Sequence, residues 1–78
     1  MEETVTNIIN NWNPIEIYPL LYDEYQDEVG RIVTSLSKSK SIDSVAAVIY
    51  SVFLDSFGSL FEKTEEECRN IAEKIVLL

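Results

Sequence analysis

Four acidic side chains within six residues are the best candidates for chemistry in this 78-residue sequence: Asp23, Glu24, Asp27 and Glu28. Carboxylates are the ligands that Ca²⁺ and Mg²⁺ prefer, and the pairs 23/27 and 24/28 have a spacing that places both members on one helix face. The EF-hand loop pattern fails, however, because Tyr25 takes its third position and Glu28 the position that needs Gly. A solvated helix start is therefore the favoured interpretation, and a divalent-metal site is the alternative.

No pair of residues forms an ordinary base and nucleophile couple. The chain has no His, the usual general base near neutral pH and a common zinc ligand. Its one Cys, Cys68, lies in an apolar stripe among acids, which predicts a core thiol rather than a reactive thiolate. The only glycines, Gly30 and Gly58, form no phosphate loop. We expect neither an enzyme, nor a catalytic residue, nor a cofactor.

The negative charge is concentrated in the first thirty residues. The net charge is −8, and residues 1–30 hold seven acids with no Lys or Arg. Such a surface repels phosphate backbones and anionic membranes, so we expect no nucleic-acid and no membrane partner. It attracts a basic protein partner. The alternative is that the acids only keep a small protein soluble.

Composition predicts one folded domain over residues 1–78. The chain is long enough for a single core, and its 46% apolar residues offset the cost of ordering it. A single Cys without a signal-peptide pattern predicts a reducing, cytoplasmic location. The charge-free run 44–54 is far too short to span a membrane.

Apolar spacing and capping residues predict four helices, and these helices must position the acids 23–28. Pro14 ends the first helix because it disfavours helical dihedrals at Asn13. The first predicted helix covers about Glu3–Asn11, and the second begins between Glu24 and Asp27 and ends near Leu36. The third covers residues 42–57, after the N-cap Ser41 and before a left-handed Gly58. The fourth opens with a Thr64/Glu67 capping box and runs to about Leu77.

The third helix is the most apolar, with eleven apolar residues among 42–57. A helix that is apolar on nearly every side is expected at the centre of a bundle. The sequence therefore predicts an all-α, compact four-helix domain with a long apolar loop between helices 1 and 2.

That loop is unusual because seven of its eleven residues from Trp12 to Tyr22 are apolar. In one interpretation its apolar side chains fold back over the helix ends as a lid that completes the core: Trp12, Ile15, Ile17 and Leu20. In the other, tyrosines and acids stay outside as an acidic, aromatic patch of the kind that protein interfaces use. Both hold if the aliphatic side chains point inward and the tyrosines outward. The predicted partner-binding residues are Glu16, Tyr18, Tyr22, Asp23, Glu24, Tyr25, Asp27 and Glu28.

Three short motifs carry a resemblance to a known family. They are "WNPI" at 12–15, "DEY" at 23–25 followed by Glu28 and Val29, and a helix that ends in Phe57 and Gly58. Over roughly residues 5–60 the chain resembles the YugE-like family of short bacterial proteins of unknown function. It departs at Gln26 and Asp27, where the family pattern has an Asp-Pro helix start. The resemblance implies a compact helical fold and no particular activity.

Together these features favour a non-enzymatic interaction module that binds a basic protein. A concrete form is an immunity-like or antitoxin-like inhibitor of a basic nuclease, because charge speeds association and tyrosines supply contact area at low entropic cost. The alternative is a protein that binds a small ligand or a divalent metal, although a chain of 78 residues leaves little room for a pocket of several hundred Å³.

Overall fold

Four α-helices make up the fold, and the chain has no strand. The computed structural model describes residues 1–78. The helices are α1 (Glu2–Trp12), α2 (Gln26–Leu36), α3 (Ile42–Phe57) and α4 (Glu65–Val76), and a 3₁₀ turn (Gly58–Leu60) follows α3. Helical residues are 68% of the chain, which confirms the all-α prediction.

The helices form a ring in which the backbone of each one lies close to the backbones of two others. The contacts run α1 to α2, α2 to α3, α3 to α4, and α4 back to α1. The helix α3 is therefore not surrounded on all sides, which corrects the expectation of a central position. Its inner face buries Val45, Ile49 and Phe53, whereas Ala47 and Leu54 on its outer face are exposed. The length and hydropathy of Ile42–Leu60 would also suit a membrane span, a test that core helices of globular proteins pass as well.

A cluster of aromatic side chains packs between the helices and joins their ends. Phe53 is its centre, with ring centroids 5.9 Å from Trp12, 5.6 Å from Tyr25 and 5.7 Å from Phe61. Trp12 and Tyr25 meet Phe53 edge to face, the geometry that the ring quadrupole favours. The aromatic side chains thus connect α1, the start of α2, α3 and the segment before α4.

Local capping explains where α3 and α4 begin. The Ser41 hydroxyl accepts a hydrogen bond from the Ser44 amide at 3.1 Å, as predicted. The Thr64 hydroxyl accepts from the Glu67 amide at 3.1 Å, and the Glu67 carboxylate accepts from the Thr64 amide at 3.3 Å. This reciprocal pair confirms the predicted capping box.

The ends of α1 and α3 depend on positive φ angles. Asn13 takes left-handed dihedrals (φ 46°, ψ 63°), which Asn tolerates well and which avoid the helical region that Pro14 disfavours. Gly58 has φ 56° and ψ −130°, a conformation open mainly to glycine. The predicted positive φ at Gly58 is present, although its ψ lies outside the left-handed helical region.

Candidate functional site

Residues 13–25, the connection between α1 and α2, are organised by the side chain of Asn13. Its amide nitrogen donates to the carbonyl of Ile17 at 3.0 Å, and its oxygen accepts from the amide of Ile17 at 3.1 Å. The same oxygen accepts from the Tyr25 hydroxyl at 2.5 Å, and that hydroxyl accepts from the amide of Ile15 at 3.2 Å. Because Asn13 and Tyr25 are both buried, this network fixes the connection from inside.

A second tether holds the far part of the connection on α1. The Asn10 side chain donates to the carbonyl of Tyr22 at 3.0 Å. Glu16 adopts a positive φ of 58°, which turns the backbone between Asn13 and Ile17. The connection is therefore bound to α1 at two points, and the residues between those points form its outer edge.

Apolar residues of the connection divide between the core and the surface. Ile15, Ile17 and Leu20 are half-buried and pack against the core cluster, as does Trp12. In contrast, Tyr18 is 79% exposed, and Leu21 and Tyr22 are each 58% exposed. Three aliphatic residues thus point inward, whereas Tyr18, Tyr22 and Leu21 point outward.

Tyr25 does not belong to the exposed set, which corrects the sequence prediction. Only 1% of the Tyr25 surface is exposed, and its ring packs edge to face on Phe53 and Phe57. The physical reason is the packing of its ring on Phe53 and Phe57, together with the hydrogen bonds that its hydroxyl makes inside the connection. Burial raises the pKa of the Tyr25 hydroxyl, and the nearby charges of Glu24 and Glu28 raise it further against the opposing effect of the Ile15 hydrogen bond.

The predicted acids are divided in the same way. Asp23, Glu24 and Asp27 are exposed and form no ion pair, whereas Glu28 is only 8% exposed. Glu16 is exposed and pairs with Lys63 at 3.5 Å. We use the name acidic aromatic surface for the exposed acids and large apolar residues of the connection, which are Glu16, Tyr18, Leu21, Tyr22, Asp23 and Glu24. Asp27 lies outside this surface, in the first turn of α2.

Most basic residues of the chain lie outside the acidic aromatic surface, and three of them form ion pairs. Arg31 pairs with Asp55 at 3.1 Å across α2 and α3, and Arg69 pairs with Asp43 across α4 and α3. Of the acidic aromatic surface, only Glu16 receives a base of the chain. The negative charge of Asp23 and Glu24 is therefore uncompensated by an ion pair.

Two other features bear on ligand binding. No group of three Asp, Glu, Cys or His side chains lies close enough together to hold a metal ion, so the acids 23–28 do not converge on one point. An open groove of about 440 Å³ lies between α3 and the start of α4, lined in part by Ala47, Tyr50 and Glu66. The groove was not predictable from the sequence, because it depends on the angle at which α3 and α4 pack.

Sequence reasoning missed two residues of the candidate site. Leu21 contributes apolar surface between the tyrosines, and Asn13 shapes the whole connection. A signal for Asn13 exists, since Asn directly before Pro after a helix favours a left-handed residue whose side chain bonds the following backbone.

Comparison with known proteins gives one match. A family model described as a domain of unknown function (DUF1871) matches residues 4–78. No curated protein and no solved structure matches the chain. The matched range contains α2, α3, α4, nearly all of α1 and the whole acidic aromatic surface.

Proposed function

The chain belongs to the family of the domain of unknown function DUF1871, and from that premise we propose that it is a non-enzymatic interaction module whose acidic aromatic surface binds a basic protein. The resemblance to the YugE-like family is part of this proposal and adds no activity to it. The family description assigns no function, so support comes from the surface itself.

The exposure of three large apolar side chains within five residues is the observation that carries the proposal. Tyr18, Leu21 and Tyr22 are all more than half exposed, although exposure of apolar surface to water is unfavourable in free energy. Tyrosine is enriched at protein interfaces because it gives a large, rigid contact area with only two rotatable angles. The buried Asn13 network and the Asn10 tether hold these side chains on a fixed backbone, which lowers the entropy cost of binding.

Charge supports a basic rather than a neutral partner. Asp23 and Glu24 border the apolar residues and have no internal base. Acids at the rim of an interface speed association with a positively charged partner and repel negatively charged ones. Net charge of −8 extends this preference over the whole molecule.

An immunity-like or antitoxin-like inhibitor of a basic nuclease is the finer form of the proposal. Its support is the combination of small size, acidic charge and a helical fold, which is an analogy of class. We place this activity in the cytoplasm, where the single buried thiol of Cys68 needs no oxidising compartment.

The test is capture of a partner from the native host, followed by affinity measurement with that purified partner. The double variant Tyr22→Ala/Glu24→Gln removes one exposed aromatic and one exposed acid of the surface. We expect its affinity to fall at least about tenfold, on the scale of a modest interface hot spot. Affinity of the unaltered protein should also fall as salt rises, because salt screens exposed charges.

Two controls separate contact from folding. The double variant Glu73→Gln/Leu77→Ala makes the same kinds of change at exposed positions of α4 and just after it, and it should bind unchanged. Ile49→Ala in the core should instead lower the unfolding midpoint. Unchanged binding by Tyr22→Ala/Glu24→Gln would show that this surface is not the interface.

A further inference from the structure

One cavity of the molecule is lined by a base and by no acid. It has a volume of about 290 Å³ and is lined by Ile8, Asn11 and Trp12 of α1 and by Ile71 and Lys74 of α4. This lining is unusual, because acids outnumber bases fourteen to six in the chain. The other two cavities contain acids: Glu2 and Asp27 in one, and Asp43, Glu65 and Glu66 in the other. The α1–α4 cavity is therefore the one whose lining favours a negatively charged ligand.

Lys74 is also the only base at a cavity that has no ion-pair partner within the chain. The bases of the other two cavities, Arg31 and Arg69, are each held in an ion pair. Lys74 is exposed and forms none. Asn11, which is exposed as well, adds a neutral hydrogen-bond donor to the same lining. The cavity thus offers an ammonium group whose charge the chain itself does not use.

The remaining three lining residues are apolar and belong to the core or pack on it. Ile71 is buried, and Ile8 and Trp12 are half-buried and pack against the core cluster. The Trp12 ring also meets Phe53 and Phe61 edge to face. Because core packing holds these side chains, the apolar wall of the cavity is preformed, as in most small-molecule sites.

We propose that the α1–α4 cavity binds a small carboxylic acid with an apolar body. The carboxylate meets the Lys74 ammonium in a charge-assisted hydrogen bond, and the hydrocarbon part covers the apolar wall. A volume of about 290 Å³ is at the lower limit of ligand pockets, about 300–1,000 Å³, so the apolar body is short. The same chemistry occurs in a free acid and at the C-terminus of a peptide that ends in an apolar residue. This site goes beyond the proposed function and does not depend on it.

The competing explanation is that Lys74 only shields the wall. In that case its methylene stem covers the apolar side chains and its ammonium stays in water, as lysines at apolar surfaces often do. The two explanations differ in what they expect of charge, because a shield gives a carboxylate no advantage over a neutral ligand of the same shape.

The experiment titrates the full chain and follows the fluorescence of Trp12, which is the only Trp and lines the cavity. The probe is isocaproate, a short branched carboxylate that does not absorb where Trp does. We expect a dissociation constant of about 1–10 mM, which is reasonable for so small a ligand. Acetate lacks the apolar body and isocaproamide lacks the charge, so each should bind at least about tenfold more weakly.

Variants then test the base. Lys74→Met removes the charge but keeps an unbranched apolar side chain, so isocaproate should bind at least about tenfold more weakly and isocaproamide unchanged. Lys38→Met alters another exposed base without an ion pair, one that lines no cavity, and should bind like the unaltered protein. Equal binding of isocaproate by Lys74→Met, or no saturable response below about 100 mM, would overturn the proposal in favour of the shield.

A last comparison identifies the source of the carboxylate. N-acetyl-leucine presents a carboxylate and a branched apolar group as the end of a peptide does. Binding tighter than that of isocaproate, lost in Lys74→Met, supports the site and assigns it to peptide termini. Weaker binding supports the site for free acids, provided that isocaproate itself depends on Lys74.

Discussion

The Tyr25 hydroxyl lies 2.5 Å from the side-chain oxygen of Asn13, and this hydrogen bond joins the end of α1 to the start of α2. The two residues stand at opposite ends of the connection that carries the acidic aromatic surface. Both are buried, at 7% and 1% exposure, so water does not compete for the bond. The exposed tyrosines therefore lie on a segment whose two ends are joined by this hydrogen bond.

Tyr25→Phe should lower the free energy of unfolding by about 1–3 kcal/mol. The ring would keep its packing on Phe53 and Phe57, but the part-buried Ile15 amide would lose its acceptor and Asn13 would lose a donor. Urea denaturation measures the change. Tyr22→Phe, at an exposed position, is the matched control and should stay within about 0.5 kcal/mol. A Tyr25→Phe protein as stable as the control would refute the importance of this bond.

Trp12→Ala should cost about 3 kcal/mol, near the lower end for truncation of a large aromatic residue. Trp12 is half-buried, and its ring meets Phe53 and Phe61 edge to face at 5.9 Å and 6.2 Å. Chemical denaturation gives the value, and Tyr18→Ala serves as an exposed aromatic for comparison. A loss below about 1 kcal/mol would mean that the ring adds little to the core.

Stability should fall as pH rises from about 9 to about 11. Burial, with the charges of Glu67 and Glu65, raises the pKa of the Cys68 thiol from 9.0 to about 11 in the folded protein. Between these values the unfolded chain has lost the proton that the folded protein keeps, so added base favours unfolding. Denaturation midpoints at about pH 8 and about pH 10 measure the effect.

Cys68→Ala is the comparison for that pH series. Its midpoint should decline less steeply above about pH 9, because the titrating thiol is gone. The raised pKa of Tyr25 acts in the same direction in both proteins and does not affect their difference. Equal slopes would show that the thiol does not contribute.

Thr64→Ala should destabilise the protein by about 1 kcal/mol, which is typical for loss of an N-cap. It removes the acceptor of the Glu67 amide and half of the capping box. For a chain of this size the melting temperature should drop by about 4–8 °C. Thr64→Ser keeps the hydroxyl and should melt close to the unaltered protein, and an equal drop in both variants would exclude the hydrogen bond as the cause.

Features set by neighbours along the chain were predictable from the sequence. The caps at Ser41 and Thr64 and the end of α1 before Pro14 all depend on residues within one helical turn. Apolar spacing likewise places the buried faces, because a helix repeats every 3.6 residues.

Features set by contacts between distant segments were not predictable in this way. Tyr25 looks like another exposed tyrosine next to Asp23 and Glu24, and only the packing of Phe53 and Phe57 draws it inside. The burial of Glu28 and the exposure of Leu54 follow from the ring of helices, whose order along the chain does not reveal which sides remain open.

Ring closure has a consequence for synthesis of the protein. The contact between α1 and α4 joins the two helices that are furthest apart in the sequence, and α4 supplies Cys68, Ile71, Ala72 and Ile75 to the core. A ribosome completes α1, α2 and α3 first, and at that stage the core lacks one wall. We therefore expect the apolar core of the nascent chain to stay open on one side until α4 has been added, and the domain to close only after that point.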